Sequence, residues 1–486
     1  MTSPRRNNTV STTDVKGDIA CSKASHRLRP GPVRPAPRWP GSPSPARWAA
    51  SSSSTTSSST ARLRPSSSPR SSSRHSGPAA GTLASFGTFA VAFVSRPLGA
   101  VLFGHFGDRM GRKKTLVITL LIMGIATVTI GLLPDASVIG VAAPIILVVL
   151  RFLQGFAVGG EWAGAALLAA EYAPPKHRGL FAAFPQLGPS IGFALASATF
   201  LIINLSLGDK SDAFLTFGWR IPFIGSAVLV MIGLYIRLKI EETPVFKEAS
   251  DESAVSAAPR RLPVWESVRN QPRQILLGGA STMMLFAFFY IGTAFLSSYG
   301  TSAEGLGHSR PTILSLGIVG AMFFAIGTIA SAVLSDRIGR RAVIVGSCVV
   351  AIPWSLLLFP ILDIGTTWSF AIGLSGTLLI VAGIYGPVGA FLPELFATRY
   401  RYTGAGMAYN LGALVGGGVT PLVAVSLGAS LGSPAIGLLL AGVSLVSLLA
   451  TFGLPETRGI DLATSGSTAA RRQPVTGPSS ASTRAR

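Results

Sequence analysis

The sequence predicts an all-α membrane protein built as a duplicated helical bundle, on three observations. The first is composition: 48% of the 486 residues are hydrophobic and 13% charged, and the mean hydropathy is +0.51. The second is spacing. From Gly81 onward, apolar runs of about 20 residues, the length a helix needs to cross hydrocarbon, follow one another with short polar breaks. The third is a repeat. GHFGDRMGRKK at 104–114 returns as AVLSDRIGRR at 332–341, so Asp108, Arg109, Gly111, Arg112 and Lys113 are matched by Asp336, Arg337, Gly339, Arg340 and Arg341.

Residues 1–80 hold serine runs, prolines and scattered arginines with no core-forming pattern, and are expected to be disordered. They contain no apolar stretch of the signal-peptide kind. Eleven spans are then predicted: one from 81, followed by 115–133, 141–170, 180–205, 219–238, 275–298, 313–334, 342–362, 369–392, 404–427 and 434–452. A polar link at 241–272 separates a first half, 81–240, from a second, 273–455, and residues 456–486 are expected to form a disordered cytoplasmic tail. Alternate loops collect the basic residues, among them Lys176, Arg178, Arg260, Arg261, Arg399 and Arg401, which places those loops in the cytoplasm.

Two further landmarks recur in the same order. EYAPPKHRG at 171–179 resembles ELFATRYRYTG at 394–404, and EETP at 241–244 is echoed by PETR at 455–458. Three landmarks repeated in order indicate a parallel repeat about an axis along the membrane normal. The net charge of +21 has a topological explanation, with no nucleic-acid partner. Cys21 and Cys348 are the only cysteines, so a disulfide framework and a CxxC metal site are both excluded; neither cofactor nor metal is expected. No P-loop motif is present, which disfavours an ATP-driven pump.

These motifs, together with RFLQGFAVGGEWAGA at 151–165, WRIPFIGSAVLVMIGLYIRLKIEETPVF at 219–246 and FLPELFATRYRYTGAGMAYNLG at 391–412, resemble the major facilitator superfamily and, within it, the metabolite:proton symporters. The resemblance implies a bundle of two six-helix halves in the cytoplasmic membrane, acting as a monomer. It implies proton-coupled symport of an organic acid, such as shikimate, 2-oxoglutarate or citrate, or of a zwitterion such as proline or betaine. It also implies a first helix where this chain carries its basic tail, so a shifted reading frame is expected there, and a tail of that charge opposes the positive-inside preference. The rival expectation is a membrane protein that does not transport, either a remnant or a sensor.

Charged residues within spans are costly and usually functional. Arg96 is the expected carboxylate-binding residue, with an internal ion pair as the alternative. Glu161, at about the depth of Arg96, is expected to pair with it across helices and to carry the coupled proton. Arg151, expected with Glu161 to be a proton-coupling residue, lies too far along the same helix to form a local pair with it; the alternative is that Glu161 only anchors the arginine of a neighbouring helix. Tyr290, Tyr385 and Asn410 are candidate hydrogen-bonding groups in the second half, or else helix-to-helix contacts. The resemblance gives Asp108, Arg112 and Glu171, with their counterparts Asp336, Arg340 and Glu394, a gating role. The second copy has Ala332 where the first has Gly104, which predicts a looser latch.

Overall fold

The computed structural model describes residues 78–208, 211–239, 263–302 and 305–460, all within the compact unit Pro43–Arg486. The expected tail and frame shift at 1–77, most of the polar link and residues 461–486 lie outside the described residues. Eleven helices are long and apolar enough to cross a membrane: α1 (Pro78–Met110), α2 (Arg112–Leu132), α3 (Ala142–Tyr172), α4 (Arg178–Leu207), α5 (Ile221–Lys239), α6 (Pro272–Thr301), α7 (Arg310–Ile338), α8 (Arg340–Leu362), α9 (Thr367–Glu394), α10 (Arg401–Leu431) and α11 (Ser433–Phe452). The predicted spans fall on these helices within a few residues at each end.

The two halves repeat one packing scheme. In the first, α1 packs on α3, α3 on α2 and α2 on α5; in the second, α7 packs on α9, α9 on α8 and α8 on α11. The halves meet where α4 packs on α7 and α1 on α10. Large apolar residues such as Ile125, Met231, Ile326 and Leu438 stay exposed, as lipid-facing residues do. The link contributes a short helix, Pro263–Asn270, that packs on α1 and α10.

One helix breaks the repeat. α6, the most buried span, packs on α10 and α11 and has no counterpart among the described residues of the first half. One of the two helices such a counterpart would cover is correspondingly open: 22% of the apolar window of α5 is buried against 44% in its equivalent α11. α6 and α10 each contain a π-helical segment, Ile291–Phe295 and Ala413–Val419, wide turns of the kind found at functional sites.

Both copies of the repeated turn pivot on glycine. Gly111 has φ 100° and Gly339 φ 108°, conformations that a side chain strongly disfavours. Glycine has no side chain with which to cap the following helix. For α8 this is supplied by Glu456, whose carboxylate accepts from the backbone N–H of Arg340 at 2.9 Å and of Arg341 at 3.1 Å. Residues 456–460, expected as the start of a disordered tail, are therefore part of the folded body.

Candidate functional site

Arg96 lies on α1 about 18 Å of helix from Asp108, well inside the membrane span. It can sit there because α1 and α3 approach closely: a Cβ on Gly159 would collide with the Arg96 carbonyl oxygen. The guanidinium is buried, donates to the Tyr290 hydroxyl at 3.2 Å and lies 4.2 Å from the centre of the Phe93 ring. Its Nε has no hydrogen-bond partner, and no carboxylate among the described residues is within salt-bridge distance. A buried cation without a counter-ion is unfavourable, so the position favours an arriving anion.

Beside it, four side chains from both halves join. The Trp162 ring stacks on Tyr409 at 3.7 Å and 3° between planes. Its Nε1 donates to Gln186 Oε1 at 2.9 Å, and Gln186 Nε2 donates to the Tyr385 carbonyl at 3.1 Å. The Tyr385 and Tyr409 hydroxyls stand 3.4 Å apart. The spacing that relates Glu171 to Glu394 also relates Trp162 to Tyr385 and Gln186 to Tyr409. The quartet is thus one pair of positions, duplicated and diverged, facing itself across the axis. Arg96, Tyr290, Tyr385 and Tyr409 each keep 5–7% of their surface accessible, whereas Phe288, Val388 and Ala408 beside them keep none.

Two expectations need correction. Glu161 does not meet Arg96: its carboxylate is bound by Arg237 of α5, whose other nitrogen donates to the Leu116 carbonyl. The reason is direction, because α3 turns Glu161 toward α2 and α5 while its glycine face meets α1. Asn410 is not a free wall donor: its amide donates to the carbonyls of Gly159 at 2.9 Å and Gly406 at 2.8 Å, clamping α10 to α3. Arg151 meets neither of these charges and donates to Gln154 Oε1 at 3.3 Å, and Gln154 Nε2 in turn donates to the Thr127 hydroxyl on α2 at 2.6 Å.

At the end that carries the basic loops, each repeated aspartate caps a helix of the opposite half. Asp108 accepts from the Thr403 hydroxyl at 2.7 Å and the Thr403 backbone N–H at 3.3 Å, at the start of α10. Asp336 accepts from the N–H groups of Gly179 at 2.9 Å and Leu180 at 3.0 Å, at the start of α4. A helix N-terminus has unpaired N–H groups and partial positive charge, so a carboxylate is its natural partner. The second latch is not loosened by Ala332. Arg340 bridges Asp336 at 3.0 Å and Glu394 at 3.4 Å, and Glu394 reaches across to Arg178 at 3.3 Å. Arg178 also donates to the Ile460 carbonyl at 2.8 Å. Glu171 is half-buried near this end, and the side chain of Arg112 lies outside the described residues.

Sequence reasoning missed Arg178, Arg237 and Trp162 as members of these clusters, and left Gln186 open between a cavity wall and a helix-to-helix contact. Arg178 and Arg237 stand at helix ends, where the positive-inside rule already accounts for a basic residue. The repeat spacing held a usable signal for the other two.

Two repeated helical halves, interlocked at one end and holding a buried cation well inside the span, are the build of a secondary transporter. Residues 71–411 match the Major Facilitator Superfamily. The chain is 43% identical over 385 residues to the inner membrane metabolite transport protein YhjE of Escherichia coli K12, covering 78% of this chain and 86% of that one. It is 40% identical over 354 residues to the shikimate transporter of the same organism, covering 72% and 79%. It is 32% identical over 353 residues to that organism's proline/betaine transporter, covering 71% and 69%. Among solved structures it resembles the proton:xylose symporter XylE bound to 6-bromo-6-deoxy-D-glucose, with a TM-score of 0.68 at 18% identity over 87% of this chain and 96% of that one. The chain belongs to the major facilitator superfamily, a family of multi-pass membrane transporters and not of enzymes.

Proposed function

We propose that the chain is a proton-coupled secondary transporter that carries a small carboxylate or zwitterionic metabolite across the cytoplasmic membrane by alternating access. The observation that carries this reading is Arg96, buried at mid-depth with an unpaired Nε and no carboxylate partner among the described residues. The names of the relatives, a shikimate transporter and a proline/betaine transporter among them, support a carboxylate-bearing cargo. With the basic end taken as cytoplasmic, the Asp108 and Asp336 latches hold that side shut, and the site opens to the other side.

Glu161 is the proposed proton carrier. Its Oε1 is held by Arg237 while its Oε2 has no partner among the described residues. A carboxylate that loses its arginine in a low-dielectric interior is tolerated only with a proton bound. Release of Arg237 would therefore require Glu161 to take up a proton, while Arg237, still charged, keeps the Leu116 carbonyl as its partner.

The test is uptake into proteoliposomes under an imposed proton gradient, with a panel of labelled organic acids and betaines. Arg96→Gln is expected to abolish uptake of every accepted compound. Glu161→Gln is expected to leave exchange of cargo intact while removing gradient-driven accumulation. Accumulation by Glu161→Gln equal to wild type would overturn the coupling role. The second reading, a membrane protein that does not transport, draws on the lack of a counterpart of α6 among the described residues; uptake only after an apolar helix is supplied ahead of α1 would support it.

A further inference from the structure

We infer that the basic ends of α6, α8 and α11 form a binding site for an anionic phospholipid, whose headgroup phosphate is held between Arg273 and Arg341. The site lies at the ends of these helices, apart from Arg96, and is independent of which cargo is carried. α11 packs on both α6 and α8, which brings the first turns of those two helices against its last turn. Arg273, exposed at the start of α6, donates to the Gly453 carbonyl at 3.1 Å. Arg341, half-buried at the start of α8, donates to the Phe452 carbonyl at 2.9 Å. The accepting residues are consecutive, about 3.8 Å apart, so the two bonded nitrogens lie within about 10 Å of each other, a span one headgroup can bridge. Neither arginine has a carboxylate within salt-bridge distance among the described residues. Glu456 is near, but its carboxylate is taken by the backbone N–H groups of Arg340, Arg341, Thr457 and Arg458. A guanidinium has five N–H donors, so each arginine keeps most of its donors for an anion arriving from outside.

The surface beside the pair selects a lipid over a free anion. Leu276, one turn along α6 from Arg273, is 65% exposed, and on α11 Phe452 and Leu449 are 52% and 62% exposed. The Phe452 ring lies 5.7 Å from the Arg341 guanidinium. Cations at the end of the span and bare apolar side chains along it match the headgroup and the acyl chain of one molecule. Net charge selects among lipids, because the ammonium of a choline headgroup would meet two guanidinium groups as a like charge, whereas a glycerol headgroup brings none. The repeat separates this site from a general excess of basic residues. In the first half Lys113 donates to the Leu238 carbonyl at 2.8 Å, and the spacing that relates EETP to PETR places Leu238 at Phe452. The carbonyl contact is thus common to both halves. The second half has a guanidinium there, the group suited to a two-pronged grip on phosphate, and joins to it Arg273 from α6.

The experiment is native mass spectrometry of the full chain in non-ionic detergent, titrated with phosphatidylglycerol or phosphatidylcholine. Each arginine near a headgroup is worth about fivefold, so the first phosphatidylglycerol is expected to bind about 25-fold more tightly than phosphatidylcholine. Arg273→Gln and Arg341→Gln are each expected to lower that preference about fivefold, and the double variant to abolish it. Arg341→Lys, which can keep the carbonyl contact as Lys113 does, is expected to fall between Arg341→Gln and wild type. Lys176→Gln, an equal loss of charge at an exposed position of the same end, is expected to leave the preference unchanged. Equal binding of the two lipids by wild type overturns the inference, as does an effect of Lys176→Gln as large as that of either arginine. Displacement of phosphatidylglycerol by an equal concentration of inorganic phosphate overturns the lipid assignment. Arginine variants that lower the melting temperature yet keep the full preference show that the pair only caps α11, and overturn the site.

Discussion

Replacing Asp336 by asparagine keeps the shape of the side chain and removes its charge, so it isolates the electrostatic part of the second latch. The carboxylate accepts from two backbone N–H groups of α4, at 2.9 and 3.0 Å, and from Arg340 at 3.0 Å. A hydrogen bond to a charged group contributes about 1.5–3 kcal/mol and a neutral one about 1 kcal/mol. Two charged bonds across the halves give way to one neutral bond, a loss of about 2–5 kcal/mol. At 1.4 kcal/mol per factor of ten, the state closed at the basic end falls by about 30-fold or more relative to the open one. Arg340 then has only Glu394 and the Ser335 carbonyl, which weakens its bridge further. Nitroxide pairs at the exposed positions Lys176 and Arg269, in a background free of the native cysteines, report the separation of the halves by double electron–electron resonance. Wild type is expected to give one short-distance population and Asp336→Asn a second, longer one. A distribution unchanged by Asp336→Asn, or changed equally by substitution of exposed Arg337, would refute the latch.

Three further outcomes follow from other contacts. Arg237→Leu is expected to lower the melting temperature markedly, because a buried pair broken on one side costs about 3–5 kcal/mol; Arg237→Leu combined with Glu161→Leu recovers most of it in the same thermal unfolding assay. Gly111→Ala and Gly339→Ala each place a side chain at a φ near 100° and are expected to destabilise by about 1–3 kcal/mol. Gly339→Ala is expected to be the worse of the two by melting temperature, since its methyl group would strike the Glu456 carboxylate that caps α8. Thr403→Val removes the 2.7 Å bond to Asp108 and is expected to add an open population smaller than that of Asp336→Asn in the same distance measurement.

The span count and the duplicated turn were readable because both depend on local properties: apolar length, and the need for glycine where φ is positive. Arg96 with Tyr290 was half readable. Each stood out as a polar residue inside a span, and the structure adds the 3.2 Å contact. The Glu161–Arg237 pair was not readable. Helical periodicity shows which face a residue occupies, but which neighbour that face meets depends on how α2, α3 and α5 cross, and that is a property of the whole bundle. Arg178 was hidden differently, behind a rule that already explained it. A basic residue at a cytoplasmic helix end is expected for topology alone, and nothing in its spacing distinguishes one that also grips Glu394.

The wide turns in α6 and α10 bear on how length changes are tolerated. A π segment is an inserted residue absorbed without breaking a helix, and in α6 it lies between Tyr290, which meets Arg96, and Tyr299, whose hydroxyl donates to Asp363 at 2.9 Å. Removing one residue there would rewind the helix and swing everything beyond it by about 100°, so only one of the two tyrosines would keep its partner. The surplus residue is what allows a single helix to serve two unrelated appointments, one at mid-depth and one at its outer end. A one-codon deletion in that segment is therefore a larger change to this protein than most substitutions on either side of it.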